Sequence, residues 1–214
     1  MTLWDYLGDE WDRLLELAIE HLRIVLLSIA IATVIGTSLG IATYRTNRPR
    51  HFVLAVTAAF LTIPSFALFG LLISPLGLGT KPAVVALVMY ALLPIIRNTV
   101  TGLREVDPAI VESAEGMGMG RWRRLLRAEL PLAWPVIIAG VRVATQMLVG
   151  IAAIAAVING PGLGKDIFRA LARVGTPTAL NQALAAVLGI IIIGLLLDVA
   201  LMLIGKLTTS RGIR

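Results

Sequence analysis

The chain has 214 residues, 57% of them hydrophobic, with a mean hydropathy of +0.88, and its apolar residues fall in runs long enough to cross about 30 Å of hydrocarbon as helices. That excludes a water-soluble domain and leaves room for roughly five spanning helices with short connections. A net charge of +6 and a pI near 10.5 would suggest nucleic acid in a soluble protein, but here the basic residues flank apolar runs, so the excess reads as membrane topology.

There is no cysteine, hence no disulfide framework and no thiolate metal site. The first residues are acidic where a secretory signal would be basic, so the first span is expected to be retained. Residues 3–20 set Leu3, Leu7, Trp11, Leu14, Leu15 and Ala18 against Asp5, Asp9, Asp12 and Glu16, which predicts an interfacial amphipathic helix over 1–19. Spans are expected at about 20–43, 52–74, 82–101, 132–158 and 180–206. Gly36 and Gly40 form a GxxxG step that either brings a neighbouring helix close or reflects a glycine-rich chain. Pro64 and Pro94 each remove an intrahelical hydrogen bond and should kink the second and third spans.

Arg45, Arg48 and Arg50, then Arg104, Arg121, Arg123, Arg124 and Arg127, then Lys206, Arg211 and Arg214 mark three segments as cytoplasmic. An odd number of spans then puts the N-terminus outside and the C-terminus in the cytoplasm. Trp4, Trp11, Trp122 and Trp134 fall near predicted interfaces and read as anchors, and His21 and His51 as residues at helix ends.

Between the third and fourth spans lies a charged island. Asp107-Pro108 is an N-cap followed by proline at the first helical position, so a helix should start there and run through Glu112 and Ala114. Gly116, Gly118 and Gly120 interrupt it. A second helix over 121–130 then sets Trp122, Leu125, Leu126 and Leu130 against Arg123, Arg124 and Arg127. A loop lying on anionic lipid would have this composition but would not need the glycine elbow.

Glu112-Ser113-Ala114, Gly118 and Leu130-Pro131 stand at the full spacing of the EAA motif of binding-protein-dependent ABC importer permeases: EAA, three residues, Gly, nine residues, I-x-L-P. Ser113 replaces the first alanine and Ala128 the isoleucine. The segments at 62–72, 90–103, 106–119 and 129–142 further resemble the permeases of glycine betaine, carnitine and choline importers, and the similarity covers all five spans. The resemblance implies an all-α integral membrane protein over 1–214, with the fold of a type I (MetI-like) importer transmembrane domain, about five spans and a cytoplasmic coupling helix within 107–131. It also implies that Glu112, Ser113, Ala114, Glu115, Gly116, Gly118, Leu130 and Pro131 form the surface that meets an ATPase. The expected partners are an ABC ATPase dimer carrying ATP and Mg, a second permease copy or paralogue, an extracytoplasmic solute-binding protein and lipid. This chain itself is expected to bind no cofactor and no nucleic acid. Glycine betaine, carnitine, choline or proline betaine is the implied solute, with methionine or another small solute as the alternative.

Asn159-Gly160-Pro-Gly162-Leu-Gly164-Lys165 has the look of a phosphate loop but fails its spacing: asparagine stands at the first glycine, Asp166 replaces Ser/Thr and no strand precedes it. It resembles the GAGGLG segment of the same permeases, so 159–179 reads as an outer loop with a short amphipathic helix, part of an outer gate or a receiving surface. Arg97, Arg142 and Asp198 lie within spans. At the helix centre a charge costs about 2.5–3.5 kcal/mol on insertion scales. Arg97 is close enough to an end to snorkel; Arg142 lies about 15 Å and Asp198 about 12 Å into their spans, depths compatible with an ion pair that is either structural or part of the solute path. No metal constellation, paired acids or nucleophile with a base appears, which argues against a membrane enzyme. A stand-alone secondary transporter or channel would not need the EAA spacing.

Overall fold

The computed structural model describes residues 2–209, so Arg211 and Arg214 of the basic tail lie outside the described residues. Among the described residues the chain is helical with no strand: α1 (Leu3–Asp9), α2 (Trp11–Thr43), α3 (Asn47–Thr62), α4 (Ser65–Leu76), α5 (Thr80–Arg104), α6 (Pro108–Gly116), α7 (Arg121–Arg124), a π-helical turn (Leu125–Glu129), α8 (Leu130–Ile154), a 3-10 turn (Ala155–Ile158), α9 (Gly164–Leu171) and α10 (Ala179–Thr208). Four of these stretches are long and apolar enough to cross a membrane, and a fifth crossing arises if the bent pair α3–α4 counts as one span.

The N-terminal expectation is corrected in its boundaries. Thr2 and Asp5 cap each other reciprocally, closing a helix that ends at Asp9. From Trp11 a single helix then runs to Thr43, so much of the expected interfacial segment is the start of the first span. Its buried stripe of Leu14, Leu17, His21, Ile24 and Val25 continues at the same period into the apolar run, and tertiary packing rather than an interface claims it. His21 is accordingly fully buried and not interfacial; its Nε2 lies 3.0 Å from the Val149 carbonyl.

Pro64 does more than kink the second span. Ile63, held extended before the proline, ends α3, and α4 departs at 102°. The Ile63 carbonyl left free by the break accepts from the Tyr90 hydroxyl at 2.7 Å, which pins the corner to α5. Pro94, by contrast, lies inside an α5 that continues past it as one element.

α5 is the central post. Gly36 and Gly40 of α2 face it so closely that a Cβ would stand 2.8 Å from Ile95 Cγ2 and 2.6 Å from Thr99, so the GxxxG step is a packing device. On the other side Gly140 of α8 faces Pro94 and Asn98, and a Cβ there would meet Asn98 Cβ at 2.6 Å. α10 lies at the periphery, burying only Ala179, Gln182, Ala185, Ala186 and Ile193. Its remaining apolar surface is left for lipid or another chain. The bundle therefore has two ends: one gathers Thr43, Arg104 and the island (the island end), the other α1, α9 and the start of α10 (the loop end).

Candidate functional site

The island folds as helix, glycine turn, helix. Asp107 caps α6 by accepting from the Ala109 amide at 2.8 Å, with Pro108 in the first turn. At its far end Gly118 takes φ +76°, the Met119 amide reaches back to the Ala114 carbonyl at 3.0 Å and the Gly118 amide to Glu115 at 2.9 Å. That is the left-handed C-terminal cap that favours glycine, and it turns the chain sharply. Glu112, Ser113, Gly116 and Met117 are exposed and form the accessible face of α6.

Ala114 is 2% exposed and is packed into the chain beneath that face. Glu115 pairs with Arg124 while its side chain stays 57% exposed, so it shares the accessible surface of α6. The expected amphipathic face of 121–130 is corrected as well: Arg124 and Leu125 are buried, whereas Trp122 and Leu126 are exposed. Two carboxylates around Arg124 and a wide π turn override the simple helical period. The second helix does not end at residue 130 either. Arg121–Ile158 is one long rod, with Leu130 and Pro131 where the π turn gives way to α8.

Sequence reasoning missed a buried acid at the root of this elbow. Glu129, 2% exposed, accepts from the Tyr44 hydroxyl at 2.7 Å, from Arg45 Nη2 at 2.7 Å and from Arg124 Nε at 2.9 Å. Burial, and then the carboxylate it faces, raise the Tyr44 phenol above its usual value, so it remains a donor. The available signal was an acid directly before Leu130-Pro131, at the mouth of an apolar span.

In the bundle, Arg142 and Asp198 lie together. Arg142 donates from Nη2 to both Asp198 oxygens at 2.8 Å and from Nε at 3.0 Å, and Gln146 adds a donor at 3.0 Å. The fork geometry satisfies both charges where hydrocarbon would otherwise penalise each. Arg97 is exposed near the island end of α5.

At the loop end, Gly160, Gly162 and Gly164 serve close packing. A Cβ at Gly164 would sit 1.9 Å from the Ala153 carbonyl, one at Gly160 2.6 Å from the Ala155 carbonyl, and Gly162, at φ +110°, lies against His21. The Gly162 amide and Lys165 Nζ both donate to Glu20, at 3.0 and 2.8 Å, tying the loop to α2. A second buried acid, also missed, organises this end. Asp166, fully buried, takes both oxygens to Arg13 at 2.6 and 2.7 Å and accepts from Gln182 at 3.2 Å and Arg169 at 3.3 Å. Arg13 also donates to the Tyr6 hydroxyl at 2.9 Å, and burial raises that phenol. A polar cavity of about 350 Å³ opens here, lined by Tyr6, Glu10, Arg13, Arg169, Arg173 and Gln182 among others. Among the described residues no group of three or more His, Asp or Glu could hold a metal ion.

α6 is thus a capped helix set on an elbow against a bundle of four or five helices long and apolar enough to cross a membrane. The family described as "binding-protein-dependent transport system inner membrane component" matches residues 32–209, and the chain belongs to it. It is 39% identical over 215 residues to the osmoprotectant import permease protein OsmW of Salmonella typhimurium, covering 98% of each chain. It is 40% identical over 149 residues to the glycine betaine/carnitine/choline permease protein OpuCB of Bacillus subtilis, covering 70% of this chain and 69% of that one. In fold it superposes on a chain of the inward-facing MetNI methionine ABC transporter with a TM-score of 0.81 at 22% identity, covering 92% and 96%. The architecture is thus that of a type I (MetI-like) importer permease in the inner membrane.

Proposed function

We propose that this chain, paired with a second permease copy or a paralogue, forms the path by which a quaternary-ammonium osmoprotectant enters the cell, driven by a cytoplasmic ATPase dimer that engages α6. The observation that carries the solute class is the similarity to an osmoprotectant import permease over nearly the whole of both chains. For the coupling role the support is geometric: α6 is a capped helix with Glu112, Ser113 and Gly116 exposed, set on an elbow continuous with a spanning rod. More arginines gather at the island end than at the loop end, which supports a cytoplasmic island end and an outer loop end where a solute-binding protein delivers its cargo. Residues 107–131 are then the coupling segment and 159–179 the outer loop, with Gly160, Gly162 and Gly164 holding that loop against α8 and α2. ATP and Mg belong to the ATPase, and this chain holds no cofactor.

In the cycle this implies, the two ATPases close on ATP, draw the coupling helices together and switch the bundle from inward to outward access. Reconstitution of the permease with its ATPase and binding protein in vesicles tests the reading: labelled glycine betaine should accumulate only with ATP. Uptake driven by an ion gradient without the ATPase would overturn it. ATP-driven uptake of methionine but not of betaines would keep the importer and replace the solute.

A further inference from the structure

Four charges alternate between the coupling helix and the first span. Glu115 on α6 pairs with Arg124 on the elbow, Arg124 with Glu129, and Glu129 with Arg45 immediately after α2. Tyr44 closes the cluster: its hydroxyl donates to Glu129 and accepts from Arg45 Nε at 2.6 Å, and the Arg45 guanidinium lies 5.2 Å from its ring centre. The backbone carries a push on α6 directly into the elbow and α8. It carries none directly to α2, because α3, α4 and α5 intervene along the chain.

The local fold is shaped for this link. On a regular α-helix, residues five apart point about 140° away from each other. The π turn over Leu125–Glu129, closed by the Leu130 amide on the Leu125 carbonyl, is wider and lets Arg124 and Glu129 meet on one face. Apolar packing could hold these elements together with equal stability, but it can slide. Forked arginine–carboxylate contacts are directional and keep a register.

We infer that Glu129 is a positioning residue for coupling: it locks the island end of α2 to the coupling helix through Arg124, Arg45 and Tyr44, so that α2 and α6 move as one body when the ATPase moves. This rests on the reading of α6 as the ATPase contact. A merely structural acid would support folding without affecting the yield of transport per ATP.

The permease is assembled with its ATPase and binding protein in vesicles, and solute imported per ATP hydrolysed is compared for wild type, Glu129→Gln and Tyr44→Phe. Because the chain has no cysteine, spin labels on Ala42→Cys and Met117→Cys report the α2–α6 distance with and without ATP. Glu129→Gln should lower the yield by about fivefold or more, and Tyr44→Phe by a smaller factor. The label distance should stay constant through the cycle in wild type and change with ATP in the variants. A wild-type yield in both variants, or a distance that changes equally in all three, would overturn the inference. If Glu129→Gln fails to assemble, Tyr44→Phe, which removes one hydroxyl, decides by the same two measurements. A wild-type complex without ATP-driven uptake would instead refute the function proposed above.

Discussion

Arg142 and Asp198 each carry into an apolar helix a charge that alone would cost about 2.5–3.5 kcal/mol on insertion scales. Together, with Gln146 as a further donor, they offset that penalty. Arg142→Gln or Asp198→Asn leaves the partner charge uncompensated, and uptake should fall by about tenfold in each, a loss equivalent to ~1.4 kcal/mol. Exchanging the two residues should restore a large part of it. Uptake in the exchanged protein no better than in the single variants would show that the charges act separately. Both residues were legible in the sequence because a charge in an apolar run stands out. Glu129 and Asp166 were not: Glu129 sits where an apolar run begins and Asp166 in the first turn of a short amphipathic helix, both places where an acid is ordinarily solvated, and only their convergent donors show them to be buried.

The helix α6 and the elbow after it show how an element can be legible at its ends and not on its faces. Asp107-Pro108 and Gly118 mark start and stop by local chemistry, capping and a positive φ, which depend on few neighbours. Which side of 121–130 is buried depends instead on a π turn and on Glu115 across the elbow, and periodicity puts Arg124 on the wrong face. Gly118 should therefore be sensitive in a graded way. Gly118→Val should lose about 1–2 kcal/mol of local stability at φ +76° and uncouple ATP hydrolysis from uptake, whereas Gly118→Asn, which tolerates that region, should keep most of the coupling. Solute-stimulated ATPase and uptake in the two variants measure this. Equal behaviour would mean that the sharp turn does not matter to coupling.

For the whole molecule, the two ends are distinguished by more than arginine count. The island end is held by Glu129 and by Trp134 on Thr208; the loop end is held by Asp166 and by Glu20 on the glycine loop. Sidedness is tested with single cysteines in the otherwise cysteine-free chain. A membrane-impermeant maleimide should label Val174→Cys, at the exposed loop end, in intact cells, and Met117→Cys only after permeabilisation. The reverse pattern would invert the topology and remove α6 from any cytoplasmic ATPase.

The sequence by itself determined the membrane class, the C-terminal ends of the spans to within a few residues, the caps of α6 and the family, because hydropathy, proline, glycine and motif spacing act locally along the chain. Tertiary structure alone decided the 102° corner at Pro64, the use of Gly36 and Gly40 against α5, the burial of His21 and the two acid clusters at the ends. Those features depend on which helices meet. A buried carboxylate is stable only where several donors converge on it, and that convergence is a property of the assembled bundle.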